Sequence, residues 1–212
     1  MTRIPAVERR AELVAAAVRM IAAHGVEGAT TRRIAQEANA PLATLHYCFA
    51  SKEMLFAAVF EYVAGQYREV LTRNAVRGDV ETTARELLRG LLEWYVANPD
   101  VGPAIVELIS WGQRQEDKQA ELVYNEAFET MRPILLNAAS SAGQSVDPST
   151  IDDLIYIVST LSDGFALNWL VFTDRAAALP QIELTLGVLN AWMSANLGDS
   201  SERGARASRA SA

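Results

Sequence analysis

The stretch TTRRIAQEANAPLATLHYCFASKEMLF, from Thr30 to Phe56, constrains the fold more than any other part of the chain. Its punctuation predicts two short helices around a tight turn, followed by a capped third. Thr30 can cap the first, because its hydroxyl accepts a bond from a free amide of the opening turn. Ile34, Ala35 and Ala38 then face inward, while Arg32, Arg33, Gln36 and Glu37 face water. Asn39 follows where a helix commonly turns left-handed, a conformation Asn tolerates better than most side chains. Pro41 suits the start of the next helix, in which Leu45 and Phe49, spaced i, i+4, anchor one face.

A helix of seven or eight residues with so little apolar anchorage is too short to be stable alone. Its outward side must therefore matter for something other than packing. Ser51 supplies the next cap. Lys52, just inside that helix start, opposes the helix dipole unless an anion such as a phosphate lies nearby.

Thr44, Leu45, His46, Tyr47, Cys48 and Phe49, followed by Ala50, Ser51, Lys52 and Glu53, resemble the end of the recognition helix in the TetR family of transcriptional regulators. Upstream, RRAELVAAAVRMIAAHG, Arg9 to Gly25, is similar to the family's first helix, with Leu13, Ala17, Met20 and Ile21 on one face. The similarity covers about a quarter of the chain. Leu42 and Ala43 stand where the family often has a basic residue and a glycine; Pro41, His46 and Cys48 also depart from its usual choices. These departures bear on which operator is read, not on the fold.

The resemblance implies an all-α chain. An N-terminal three-helix helix-turn-helix DNA-binding domain (1–50) would continue into a helical ligand-binding and dimerisation domain (51–198), with a disordered polar tail (199–212). It implies that Thr30, Thr31, Arg32, Tyr47 and Lys52 meet phosphates, which position the protein, while Leu42, Ala43, Thr44 and His46 lie nearest base edges. Leu42 and Ala43 cannot hydrogen-bond and could only touch thymine methyls. Cys48 reads as a packing residue and His24 as structural.

Half the residues are apolar, enough for a substantial core, and a single cysteine argues against a disulfide framework. No signal-peptide pattern opens the sequence, so a cytoplasmic location is expected. No HExxH, phosphate loop, dinucleotide fingerprint or G-x-S-x-G occurs, and two histidines with one cysteine leave little for metal or nucleophilic chemistry. Neither enzyme activity, nor a metal, nor a cofactor is expected. The net charge of −7 is unevenly spread: residues 1–53 carry +2 and the remainder −9. A mildly basic head on an acidic body would orient the chain on a duplex, with weak, salt-sensitive non-specific binding.

Beyond Ser51 the periodicity predicts helices over about 55–76, 80–97, 103–114, 118–142 with a bend at Pro133, 149–172 and 180–197. The stretch Leu154 to Phe172 nearly reaches bilayer-spanning length. Asp163 at its centre would cost roughly 2.5–3.5 kcal/mol on insertion, so it reads as a helix buried in protein on nearly all sides, with no membrane partner.

Ala166, Leu170 and Phe172, with Leu184, Gly187, Val188, Ala191 and Ala195, offer small and medium residues for a homodimer surface, or could complete a monomer core. A two-fold dimer would set two recognition helices about 34–36 Å apart, matching a palindromic operator. Large aromatics in the body suggest a cavity for a small hydrophobic effector, neutral or weakly cationic. Its candidate lining is Trp94, Glu107, Trp111, Tyr124, Phe128, Phe165, Asn168 and Trp169, with Asp163 and Asn125 as further polar groups. In the family such an effector shifts the spacing of the two heads and releases double-stranded operator DNA. A helical adaptor that has lost its operator contacts is the alternative.

Overall fold

The computed structural model describes residues 5–115, 119–172 and 174–197. Among them run nine helices and no strand: α1 Ala6–Gly28, α2 Thr31–Glu37, α3 Leu42–Cys48, α4 Lys52–Arg73, α5 Val80–Ala97, α6 Val101–Gly112, α7 Ala120–Ala142, α8 Pro148–Phe172 and α9 Arg175–Asn196. The all-α expectation holds, and the helices fall close to their predicted spans. The expected tail lies outside the described residues.

Helices α1 to α3 close around Leu13, Ala17, Ile21, Ile34, Leu45 and Phe49, all buried. Caps set their ends as the residue types require. The Thr30 hydroxyl accepts from the Arg33 amide at 3.3 Å, and the Ser51 hydroxyl accepts from Met54 at 3.2 Å. Asn39 takes the left-handed conformation, φ 49°, and returns the chain between α2 and α3. Pro41 precedes α3 as its cap residue. Gly25 breaks α1 near its end with φ 69° and ψ 170°, a conformation that costs any side-chain-bearing residue.

Helix α4 begins in this head and runs without interruption into the body, where it packs on α5 and α7. Helix α1 in turn packs against α6, so the head meets the body along two elements. Within the body, α5 lies among α4, α7, α8 and α9. Its amide end is capped by Asp79, which accepts from Thr82 at 2.8 Å; those bonds hold its carboxyl below the usual range. Ion pairs tie the outer helices inward, Arg89 to Glu183 at 2.8 Å between α5 and α9 and Arg132 to Asp152 at 2.8 Å between α7 and α8.

Two expectations need correction. Helix α9 starts at Arg175 rather than Pro180, because Asp174 caps it, accepting from Ala176 at 2.9 Å. Pro180 then sits inside the helix, where it removes one backbone bond. The second concerns α8, which is not buried on nearly all sides. It is long and apolar enough to cross a membrane by length and composition, yet only 39% of its apolar window is buried in the chain. Tyr156, Leu167, Val171 and Phe172 are exposed along it. The helical period gives it two apolar faces, and a single chain covers one of them.

Candidate functional site

The head presents α3 outward. Leu45 is buried, whereas Ala43, His46 and Tyr47 are exposed and Thr44 is half-buried; Tyr47 keeps 82% of its surface in solvent. The far end of α3 is clamped. Arg10 of α1 donates to the Cys48 carbonyl at 2.9 Å, and its guanidinium stands 4.1 Å from the centre of the Phe49 ring. A seven-residue helix that could not persist in isolation is thereby held in place by its neighbours.

Leu42 is half-buried and packs against the core, which leaves Ala43, His46 and Tyr47 exposed on this helix and Thr44 partly so. Most of the head's cations are engaged internally. Arg9 pairs with Glu12 at 2.7 Å, Arg19 with Glu37 at 2.6 Å, and Arg33 donates to the Gly28 carbonyl at 3.2 Å. Lys52 donates to the Val26 carbonyl at 3.2 Å, with its ammonium 4.9 Å from the Phe56 ring centre. It ties α4 to the end of α1, a use its sequence position did not disclose. Arg32 is exposed in the first turn of α2, Thr31 beside it in sequence is half-buried, and Thr30 is exposed and caps the helix.

In the body, α5, α6, α7 and α8 form a partly open cavity of about 230 Å³ lined by Tyr95, Ile105, Ile109, Tyr124, Asp163 and Ala166 among others. A much narrower cleft of about 20 Å³ continues inward past Ile109, Tyr124 and Asp163 to Tyr67, Met131 and Ser162. The Tyr124 hydroxyl donates to Asp163 Oδ2 at 3.0 Å. Burial raises the Asp163 carboxyl above its ordinary value, and the Tyr124 bond offsets part of this. Burial, together with the Asp163 charge, pushes Tyr124 up to about 12. Tyr67 and Tyr95 are buried with their hydroxyls hydrogen-bonded to each other. Burial raises both, leaving them neutral at physiological pH.

Of the eight residues expected to contact a ligand, Tyr124 alone lines these spaces as described. Trp111 is committed to packing, edge-on to Phe56 and stacked on Phe60. Trp94 packs edge-on to Tyr67 behind the cavity wall. Phe165 and Trp169 are buried and stack on each other, while Phe128 is turned toward solvent. Asn168 is exposed and donates to the Gly164 carbonyl of its own helix at 2.8 Å. Glu107 lies at the head–body junction, its Oε2 3.2 Å from where a Cβ on Gly25 would stand. Sequence reasoning missed Tyr67, Ile105, Ile109 and Met131, because an apolar side chain facing a void has the same spacing as one facing a neighbour.

On α9, Leu184 is 72% exposed, and Gly187, Val188, Ala191 and Ala195 are exposed beside it. Leu170 is half-buried on α8. Ala166 is buried within the single chain and faces the cavity, so it belongs to no free surface. Phe172, expected on this surface, is exposed, as are Tyr156 and Val171, which were not singled out from the sequence.

A capped three-helix head with an outward-facing second helix of a helix-turn-helix pair, fused through one continuous helix to a cavity-bearing helical body, defines a one-component regulator of the helix-turn-helix class. The family model for bacterial regulatory proteins of the tetR family matches residues 13–59. The chain is 28% identical over 174 residues to the HTH-type nicotine-responsive transcriptional repressor HdnoR of Paenarthrobacter nicotinovorans, covering 79% of this chain and 86% of that protein. It is 24% identical over 155 residues to the HTH-type transcriptional repressor NicS of Pseudomonas putida, covering 72% and 73%. A solved TetR-family member from Streptomyces coelicolor superposes with a TM-score of 0.65 at 26% identity, covering 86% of this chain and 98% of that one. Over residues 13–59 the chain thus carries the pattern of the tetR family of bacterial regulatory proteins, and beyond them it shares the fold of the solved family member.

Proposed function

We propose that this regulator is a ligand-responsive repressor: as a dimer it binds a palindromic operator, and a small hydrophobic effector in the body cavity releases it. The observation that carries the DNA half is the outward face of α3, where Tyr47 is 82% exposed on a helix clamped from behind by Arg10. Thr30, Thr31, Arg32 and Tyr47 would meet phosphates, and Ala43, Thr44 and His46 base edges. The names of both relatives as repressors favour this reading over a helical adaptor without DNA.

The working division is a reading head over 1–50 and a sensing body over 51–198. Helix α6 supports coupling between them, since Ile105 and Ile109 line the cavity while the same helix packs on α1. An effector acts by binding the released arrangement more tightly than the DNA-competent one. The exposed faces of α8 and α9 fit a second copy of the chain, since an apolar surface of this extent on a soluble regulator marks an interaction site.

The test of repression is a reporter driven by the DNA upstream of the chain's own gene. Deleting the gene should raise reporter output and restoring it should lower output again. Unchanged or lower output on deletion would contradict a repressor.

A further inference from the structure

Resting on the reading of the body cavity as the effector site, we infer that Asp163 and Tyr124 form a seat for a compact, singly charged organic cation, a protonated amine carried on an apolar or aromatic skeleton. Among the described residues, Asp163 is the one charged side chain lining the cavity, and no lysine, arginine or histidine among them lines it. A carboxylate offers about four lone-pair positions, and the Tyr124 bond at 3.0 Å occupies one of them. The acid therefore faces the cavity with accepting capacity to spare and no counter-ion there among the described residues.

The walls select the rest of the ligand. Ile105, Ile109 and Ala166 are apolar, and Tyr95 and Tyr124 add aromatic rings, a surface that welcomes hydrocarbon and attracts cations. An anionic ligand would meet the Asp163 charge with nothing to neutralise it. A neutral ligand lacking a donor would strip water from the carboxylate without replacing the lost bonds. A protonated amine does the opposite: it supplies charge-assisted bonds to an acid that burial already makes reluctant to ionise alone. The volume of about 230 Å³ suits a small ring system rather than a long chain.

The experiment uses the full chain and three probes that share one skeleton, phenethylamine, 2-phenylethanol and 3-phenylpropanoate, titrated calorimetrically at pH 7. The amine should bind tighter than both others by about ten-fold, the factor one charge-assisted bond supplies over a neutral one. In Asp163→Asn the amine should fall to within about three-fold of the alcohol, because the counter-charge is gone. Equal or tighter binding of the alcohol or the acid, or no binding of the amine at millimolar concentration, would overturn the inference. Retained preference for the amine in Asp163→Asn would overturn it as well. The three-probe comparison needs no variant, so a misfolded Asp163→Asn leaves the test standing. Duplex binding measured on the same unliganded sample separates the two readings: DNA bound without amine preference removes the cation seat alone, whereas no DNA binding removes the regulator.

Discussion

Arg10 and Phe49 are in direct contact, the guanidinium 4.1 Å from the ring centre, and the same arginine donates to the Cys48 carbonyl at 2.9 Å. One side chain of α1 thus fixes the end of the short helix that carries the reading surface. The cation–π contact is worth about 0.5–1 kcal/mol and the hydrogen bond about 1 kcal/mol. Arg10→Ala should therefore lower unfolding free energy by roughly 1–2 kcal/mol in urea titrations. It should also weaken binding to every duplex alike. A loss confined to certain sequences would mean that Arg10 reads bases rather than holding α3.

Gly25 is held at φ 69° close to the Glu107 carboxylate of α6. Gly25→Ala should cost roughly 1–3 kcal/mol for a backbone conformation that essentially only glycine adopts, plus whatever the close approach to the Glu107 carboxylate adds. Thermal unfolding measures the loss. Gly143→Ala, at a left-handed position (φ 65°, ψ 21°) with open space where a Cβ would stand, should cost less, about 1 kcal/mol.

The contact surface of α3 divides into positioning and reading groups. Tyr47→Ala should weaken binding uniformly across sequences, whereas Thr44→Ala should change base preference. Arg32→Ala should reduce the slope of log affinity against log salt by about 0.9, the contribution of one phosphate contact. Binding-site selection with each variant checks the first pair, and salt titration checks the third.

Much of the head was legible because its signals are local. Thr30, Asn39 and Ser51 act within a few residues of themselves, so their caps and turn follow from residue type and spacing. The six helices α4 to α9 followed from periodicity in the same way. The cavity did not, since Trp111 and Trp94 look as suited to a pocket as Tyr95 until the packing partners are known. The use of Lys52 was hidden for a similar reason: its partner, the Val26 carbonyl, lies twenty-six residues away.

Asp163 gives stability a defined dependence on pH. Burial raises its folded-state value above the ordinary 3.8, so the folded chain holds its proton more tightly than the unfolded chain does. Stability from this group is greatest below that ordinary value and declines as pH rises to the raised one. The groups facing it are Tyr124 of α7 and, across the cavity, Tyr67 of α4 and Tyr95 of α5, all neutral in this range. Asp163→Asn should therefore raise the melting temperature at pH 7, with the gain shrinking as pH falls toward 4. A gain that grows on acidification would contradict the assignment.

The exposed face of α8 and α9 predicts that Leu184→Glu or Val188→Glu, at 72% and 51% exposed positions, turns a dimer into a single folded chain. Sedimentation equilibrium should show the mass halved with helical content unchanged. A wild-type chain that sediments as a monomer would remove the interface.

The account is tested most directly by titrating the unliganded chain onto duplex DNA from upstream of its own gene, at low and moderate salt, with scrambled duplex as competitor. It predicts a salt-sensitive, sequence-preferring complex holding an even number of chains per palindromic site. A chain that retains its helical circular dichroism yet binds both duplexes equally, or neither, would contradict it.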